Sequence, residues 1–113
     1  MPSHGSKANA SGGMDYEVII SIEDDMLYYS LPNLPLNRLD TVRWSCSRGP
    51  FAIQFDTVSP LPLAALQATE STEQQSVWPE AQPGTYSYAC SVYDRRTERV
   101  YLDAACPAII IQR

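Results

Sequence analysis

Three cysteines and one histidine are the side chains of this sequence best suited to thiolate or soft-metal chemistry: Cys46, Cys90, Cys106 and His4. No two of the cysteines form a CxxC pair, and their spacing fits no zinc ligand set. A thiol reacts or ligates as the thiolate, which needs positive charge nearby and some exposure. Arg95 and Arg96 follow Cys90 closely, but spacing does not say which way they point. Three cysteines leave at least one unpaired within a monomer. All three lie near expected strand ends, so one disulfide is conceivable, but its strict geometry is not written in spacing. Free thiols packed as small hydrophobes are the expectation.

Acid–base and nucleophilic chemistry have little to work with. His4 sits in a polar lead, far from every other candidate. The Ser and Asp residues have no recognisable base partner, and neither a GxSxG nor a Gly-rich phosphate loop occurs. The expectation is a protein that is not an enzyme and carries no cofactor. Arg95, Arg96 and Arg99 could grip an anionic partner, but Asp94 and Glu98 partly neutralise them, so a solvated turn is expected. Tyr28, Tyr29, Tyr93 and Tyr101 read as half-buried strand residues, with an exposed contact surface as the alternative.

Composition narrows the partners. A net charge of −5 offers nothing to displace phosphate counterions, so nucleic acid is not an expected partner. No apolar run approaches the roughly 18 residues of a membrane helix, so no membrane partner is expected either. The 113 residues make one domain. Residues 1–13 are small and polar without periodicity, and read as a disordered lead or an unnatural appendage, with Met14 as the start of residues 14–113. This lead lacks the apolar h-region of a signal peptide, which leaves the location open and favours the cytoplasm only if the start is natural.

The elements that must position these residues read as strands. Tyr16, Val18, Ile20 and Ile22 alternate with more polar neighbours, Glu23-Asp24-Asp25 marks a turn, and Met26–Ser30 resumes, which predicts a hairpin. Pro32 and Pro35 restrict the next stretch to an edge, where Leu34, Leu36 and Leu39 can pack. Val42, Trp44 and Cys46 share one face of a strand, Phe51, Ile53 and Phe55 one face of the next, and the two are expected to pair as a hairpin across Ser47–Pro50. Residues 58–82 lack a sheet pattern and read as a flap, with Leu63–Ala68 as a short helix or helical turn behind Pro62. Tyr86, Tyr88, Cys90 and Val92 then alternate along a strand opened by Gly84, a charged turn follows, and Val100–Leu102 and Ala108–Gln112 close the chain. Seven or eight short strands without a βαβ rhythm predict an all-β antiparallel sandwich or barrel.

Two of these stretches together resemble the cupredoxin, or blue-copper, family. Asp40-Thr41-Val42-Arg43-Trp44 is similar to the family's Gly-Asp-x-Val-x-Trp/Phe strand, with Leu39 where glycine is usual. Pro83-Gly84-Thr85-Tyr86-Ser87-Tyr88-Ala89-Cys90 resembles the family's Gly-x-Tyr-x-Tyr/Phe-x-Cys approach to the metal. Between them, Gly49-Pro50-Phe51 looks like the strand whose opening Pro-His carries the first ligand. The order and spacing suit the family over Tyr16 to Gln112. An immunoglobulin domain also ends a strand in Tyr-x-Cys, but its core tryptophan lies well after the first cysteine, whereas Trp44 precedes Cys46.

The resemblance implies a Greek-key sandwich with a blue-copper site of two imidazoles, one thiolate and a weak axial thioether. Carried over, the thiolate is Cys90, the first imidazole falls at Phe51, the second at Tyr93, and the axial position within Asp94–Glu98. Only the thiol is present. The expectation is therefore a metal-free, cupredoxin-like domain that acts by binding another protein or itself, or as a structural module. The alternatives are an electron-transfer or copper-handling protein using Cys90 with atypical ligands such as Cys46, and a small-ligand binder at the vacated end lined by Phe51, Cys90 and Tyr93.

Overall fold

Eleven strands, in a computed structural model that describes residues 6–103 and 107–113, form two facing sheets. They are β1 (Ser6–Ala8), β2 (Met14–Glu23), β3 (Met26–Tyr29), β4 (Asn33–Leu36), β5 (Thr41–Cys46), β6 (Phe51–Phe55), β7 (Ala65–Ala68), β8 (Gln75–Ser76), β9 (Gly84–Asp94), β10 (Arg99–Asp103) and β11 (Ala108–Ile111). One sheet runs β1-β2-β5-β8 with β3 beside β2, and the other β4-β11-β9-β6-β7 with β10 beside β9.

Alternation decides what each strand buries. Val18, Ile20 and Ile22 of β2 and Val42, Trp44 and Cys46 of β5 point inward from the first sheet. Phe51, Ile53 and Phe55 of β6 and Tyr88, Cys90 and Val92 of β9 face them from the second. An aromatic cluster ties the layers together: Tyr88 meets Trp44 and Phe55 edge-on, each at 5.4 Å between centroids, and Tyr29 at 6.2 Å. Trp44 Nε1–H donates to the Tyr88 hydroxyl at 3.1 Å, so the polar ends of two fully buried rings satisfy one another.

The all-β sandwich expected from the pattern is present, with corrections in its wiring. The hairpin β2–β3 forms, closed by Asp24 and Asp25 at φ of 51° and 63°, the left-handed conformation that a two-residue hairpin loop requires. β5 and β6 do not pair. β5 lies parallel to β2 while β6 lies between β7 and β9, because each has one strongly apolar face and the two faces bury each other across the layers. Two parallel pairings, β2 with β5 and β4 with β11, make both sheets mixed rather than purely antiparallel. β4 occupies an edge, where Pro35 removes no ladder bond from a neighbour on its far side.

The expected helical turn at Leu63–Ala68 is replaced by strand β7, in which Leu66 is buried beside Ile53 and Gln67 is exposed. Tertiary pairing overrides helix propensity here. The rest of the flap crosses to the other sheet. Cys46 N–H donates to Glu70 O at 2.8 Å, Thr72 N–H to Trp44 O at 2.8 Å, and β8 then pairs with β5. Residues 58–82 thus wall one side of the sandwich.

At the start of the chain, Ser6–Ala8 pairs with Met14–Tyr16, so an ordered hairpin stands where a disordered lead was expected over residues 6–13. Asn9 holds its turn, accepting from Ser11 and Gly13 N–H and donating to Asp15. His4 and Cys106 lie outside the described residues.

Candidate functional site

The end of the sandwich near Cys90 is built by three segments: the crossing from β5 to β6, the upper half of β9, and the turn from β9 to β10. β9 does not stop at the cysteine. It continues to Asp94, with Cys90 opposite Ile53 on one side and Asp103 on the other, and a hairpin through Arg95–Glu98 leads into β10. A ladder therefore occupies the stretch that the resemblance assigns to a metal-binding loop.

Strand parity separates the expected site residues. Cys90 and Phe51 share the inner face and are 2% and 4% exposed. Phe51 is paired with Val92, which makes it a diagonal neighbour of Cys90. Tyr93 lies on the outer face, opposite Val100, with the sheet backbone between it and the thiol. Phe51 and Tyr93 both border one depression on the second sheet and Cys90 borders the smaller one beside it, while the Phe51 ring and the Cys90 thiol themselves point inward. Cys46, on the inner face of the other sheet, points into the same interior as Cys90, and both thiols are free and buried. Burial pushes the Cys90 thiol up to about 12, with Tyr29 hydrogen bonding offsetting part of the effect and Cys46 and Asp103 adding to it. Tyr29 donates to Asp103 at 2.9 Å across the gap between β3 and β10, and burial first, then the nearby Cys90, pushes its hydroxyl up as well. This is a neutral thiol in a closed pocket, the reverse of what ligation or attack needs.

The cap over this end is a charged pair that spacing alone did not reveal. Asp94 is fully buried. Arg48 grips it in a two-pronged bond, Nε to Oδ1 at 3.0 Å and a second nitrogen on Oδ2. Arg96 N–H and the Thr97 hydroxyl complete its partners. The Arg48 hydrogen bonds hold the Asp94 carboxyl down to about 2, against the opposing pull of burial. Backbone bonds from Tyr93 N–H to Pro50 O and from Arg95 N–H to Arg48 O, both 2.9 Å, strap the crossing onto β9. Gly49 permits this approach, since a Cβ there would stand 1.9 Å from Tyr93 O. The signal was available in principle: Asp94 extends the inward series Tyr88, Cys90, Val92, and a charge on an inner face demands a partner.

Tested against a blue-copper site, the residues do not fit. Phe51 has no lone pair to give, Tyr93 faces away, and Asp94 is committed to Arg48. Among the described residues, no three His, Cys, Asp or Glu side chains gather to hold a metal ion.

The outer face of the second sheet offers the more open feature. Ala52, Ala89 and Ser91 are small and floor a shallow depression over β6 and β9. Its larger part, about 550 Å³, lies between Tyr93 and Val100 on one side and Gln67 and Thr69 on the other. A smaller part of about 270 Å³ continues past Gln54 and Leu102. Its signal in the sequence was the run of small residues on the outward parity of two central strands.

No protein-family model matches the chain, and no curated protein matches it in sequence. Among solved structures it is similar to a Cu(I) form of an amicyanin point mutant, at 22% identity over 98% of this chain and 95% of that one, with a TM-score of 0.49. It is also similar to an oxidized amicyanin point mutant, at 20% identity over 99% and 96%, with a TM-score of 0.47.

Proposed function

From a cupredoxin-like β-sandwich whose metal loop has become a hairpin, we propose a metal-free, non-enzymatic module that works by binding through its surface. One observation carries the reading: Cys90 sits inside a three-stranded ladder with its thiol raised to about 12 by burial. The Arg48–Asp94 cap supports it, because the end where the family exposes its metal is here given over to closure. The apolar outer-face depression supplies a surface for a protein partner. The test is titration of the full chain carrying His4→Ala with Cu(II), followed by visible absorption. No intense thiolate-to-copper band is expected. Stoichiometric uptake with such a band would overturn the reading.

A further inference from the structure

β10 is an edge strand with an unusual profile. Its backbone pairs with β9 on one side, and among the described residues no backbone hydrogen bond closes the other. Natural edges are guarded by proline, by inward charge or by bulges. β4 has Pro35 in its middle. The middle of β10 is Val100-Tyr101-Leu102, with Val100 63% and Leu102 79% exposed. Its charges stand at its two ends on the inward parity, Arg99 opposite Asp94 and Asp103 opposite Cys90 with Tyr29 donating to it, so the guard is at the ends and the three-residue middle has none. Arg99 is only loosely engaged, 3.7 Å from an exposed Asp25.

This order is self-complementary. Laid antiparallel on a copy of itself about Tyr101, the strand sets Arg99 opposite Asp103 at both ends. Val100 then meets Leu102 twice on the outer face. Opposite charges and apolar pairs directly across a ladder are the favourable cross-strand combinations. A slip of one residue would set outer-face side chains against inner-face ones, and a slip of two loses both charge pairs. β3, the corresponding edge of the first sheet, reads Met-Leu-Tyr-Tyr and has no such complementarity.

We infer that the partner of this surface is a second copy of the chain, joined β10 to β10 into one continuous sheet across a two-fold axis. The inference names a partner for the surface-binding module proposed above and rests on that reading only for its relevance. Copper uptake would remove that reading without touching the dimer, and a monomeric chain would remove the dimer without touching that reading.

Sedimentation velocity of the full chain over a concentration series tests it. The expected dimer has a dissociation constant of roughly 10–100 μM, as suits an interface below the about 1,200 Å² of stable complexes. Arg99→Asp and Asp103→Arg each make the pairing self-repelling and should weaken it at least about tenfold, as should Leu102→Lys. An equimolar mixture of Arg99→Asp with Asp103→Arg restores both charge pairs and should dimerise again, which damage to one variant could not produce. Asp103 also accepts from Tyr29, so thermal melts accompany that variant, and Arg99→Asp and Leu102→Lys decide the matter if it fails to fold. A chain that stays monomeric to about 1 mM, or a dimer indifferent to Arg99→Asp and Leu102→Lys, overturns the inference and leaves the edge to a partner of another kind.

Discussion

Placing imidazoles at the two positions where the resemblance puts them should not create a copper site. In Phe51→His/Tyr93→His, position 51 is a diagonal neighbour of Cys90 on the inner face, roughly 7–8 Å away, within reach of a side chain. Position 93 is on the outer face, and no rotamer carries an imidazole through a sheet. The cost falls almost wholly on position 51. Truncating a buried phenylalanine costs about 3–5 kcal/mol. Imidazole refills part of that volume but sets a polar N–H against an apolar wall, itself about 1–3 kcal/mol, so the net is about 2–4 kcal/mol. At about 4 °C per kcal/mol for a domain of this size, the melting temperature falls by roughly 8–16 °C. Tyr93→His alone, at a position 41% exposed, should stay within about 0.5 kcal/mol of the parent. The assay is thermal melting with Cu(II) titration monitored in the visible. A contrasting pair, Phe51→His/Val92→His, places both imidazoles on the same face as Cys90 and should show any thiolate-to-copper band first. An intense stoichiometric band in the Tyr93 pair would refute the reasoning, because it would require β9 to release its ladder.

Asp94 is held at about 2 against an ordinary 3.8, so the stability it contributes is present above about pH 4 and is lost as pH falls through 2. Asp94→Asn should lower stability at pH 7 and flatten its dependence between pH 4 and 2 in chemical denaturation; an unchanged acid limb would contradict the Arg48 cap. In a Cys106→Ser background, iodoacetamide at pH 8 should label neither Cys46 nor Cys90 in the folded chain and both after unfolding, as counted by intact mass. Fast labelling of Cys90 in the native state would mean the pocket is open. Tyr88→Phe leaves Trp44 Nε1–H buried without an acceptor and should cost about 1–3 kcal/mol. A neutral result would mean that water reaches the indole.

Alternation was enough to locate most strands and to say which side chains each would bury, since a period of two is local. Val42, Trp44 and Cys46, and again Tyr86, Tyr88, Cys90 and Val92, declare their shared faces without knowledge of any neighbour. The motifs that carry the resemblance are equally local, so Cys90, Phe51 and Tyr93 could be set against that pattern from the chain alone. Pairing is not local. Whether β5 meets β6 beside it or across a layer depends on which arrangement buries two apolar faces, and a strand's sequence is the same in either case. Leu63–Ala68 has the composition of a helix and became β7 because β6 had an open edge beside it. The end of the sandwich was decided the same way. The inward parity of Asp94 signals that it needs a partner, but Arg48, 46 residues away, is identified as that partner only by the fold. The sequence determined that no imidazole stands at positions 51 and 93. Only the tertiary structure decided that a ladder covers the thiol, that Tyr93 is turned to the outside, and that an edge strand with an apolar middle and charged ends, unpaired on its far side among the described residues, lies beside it.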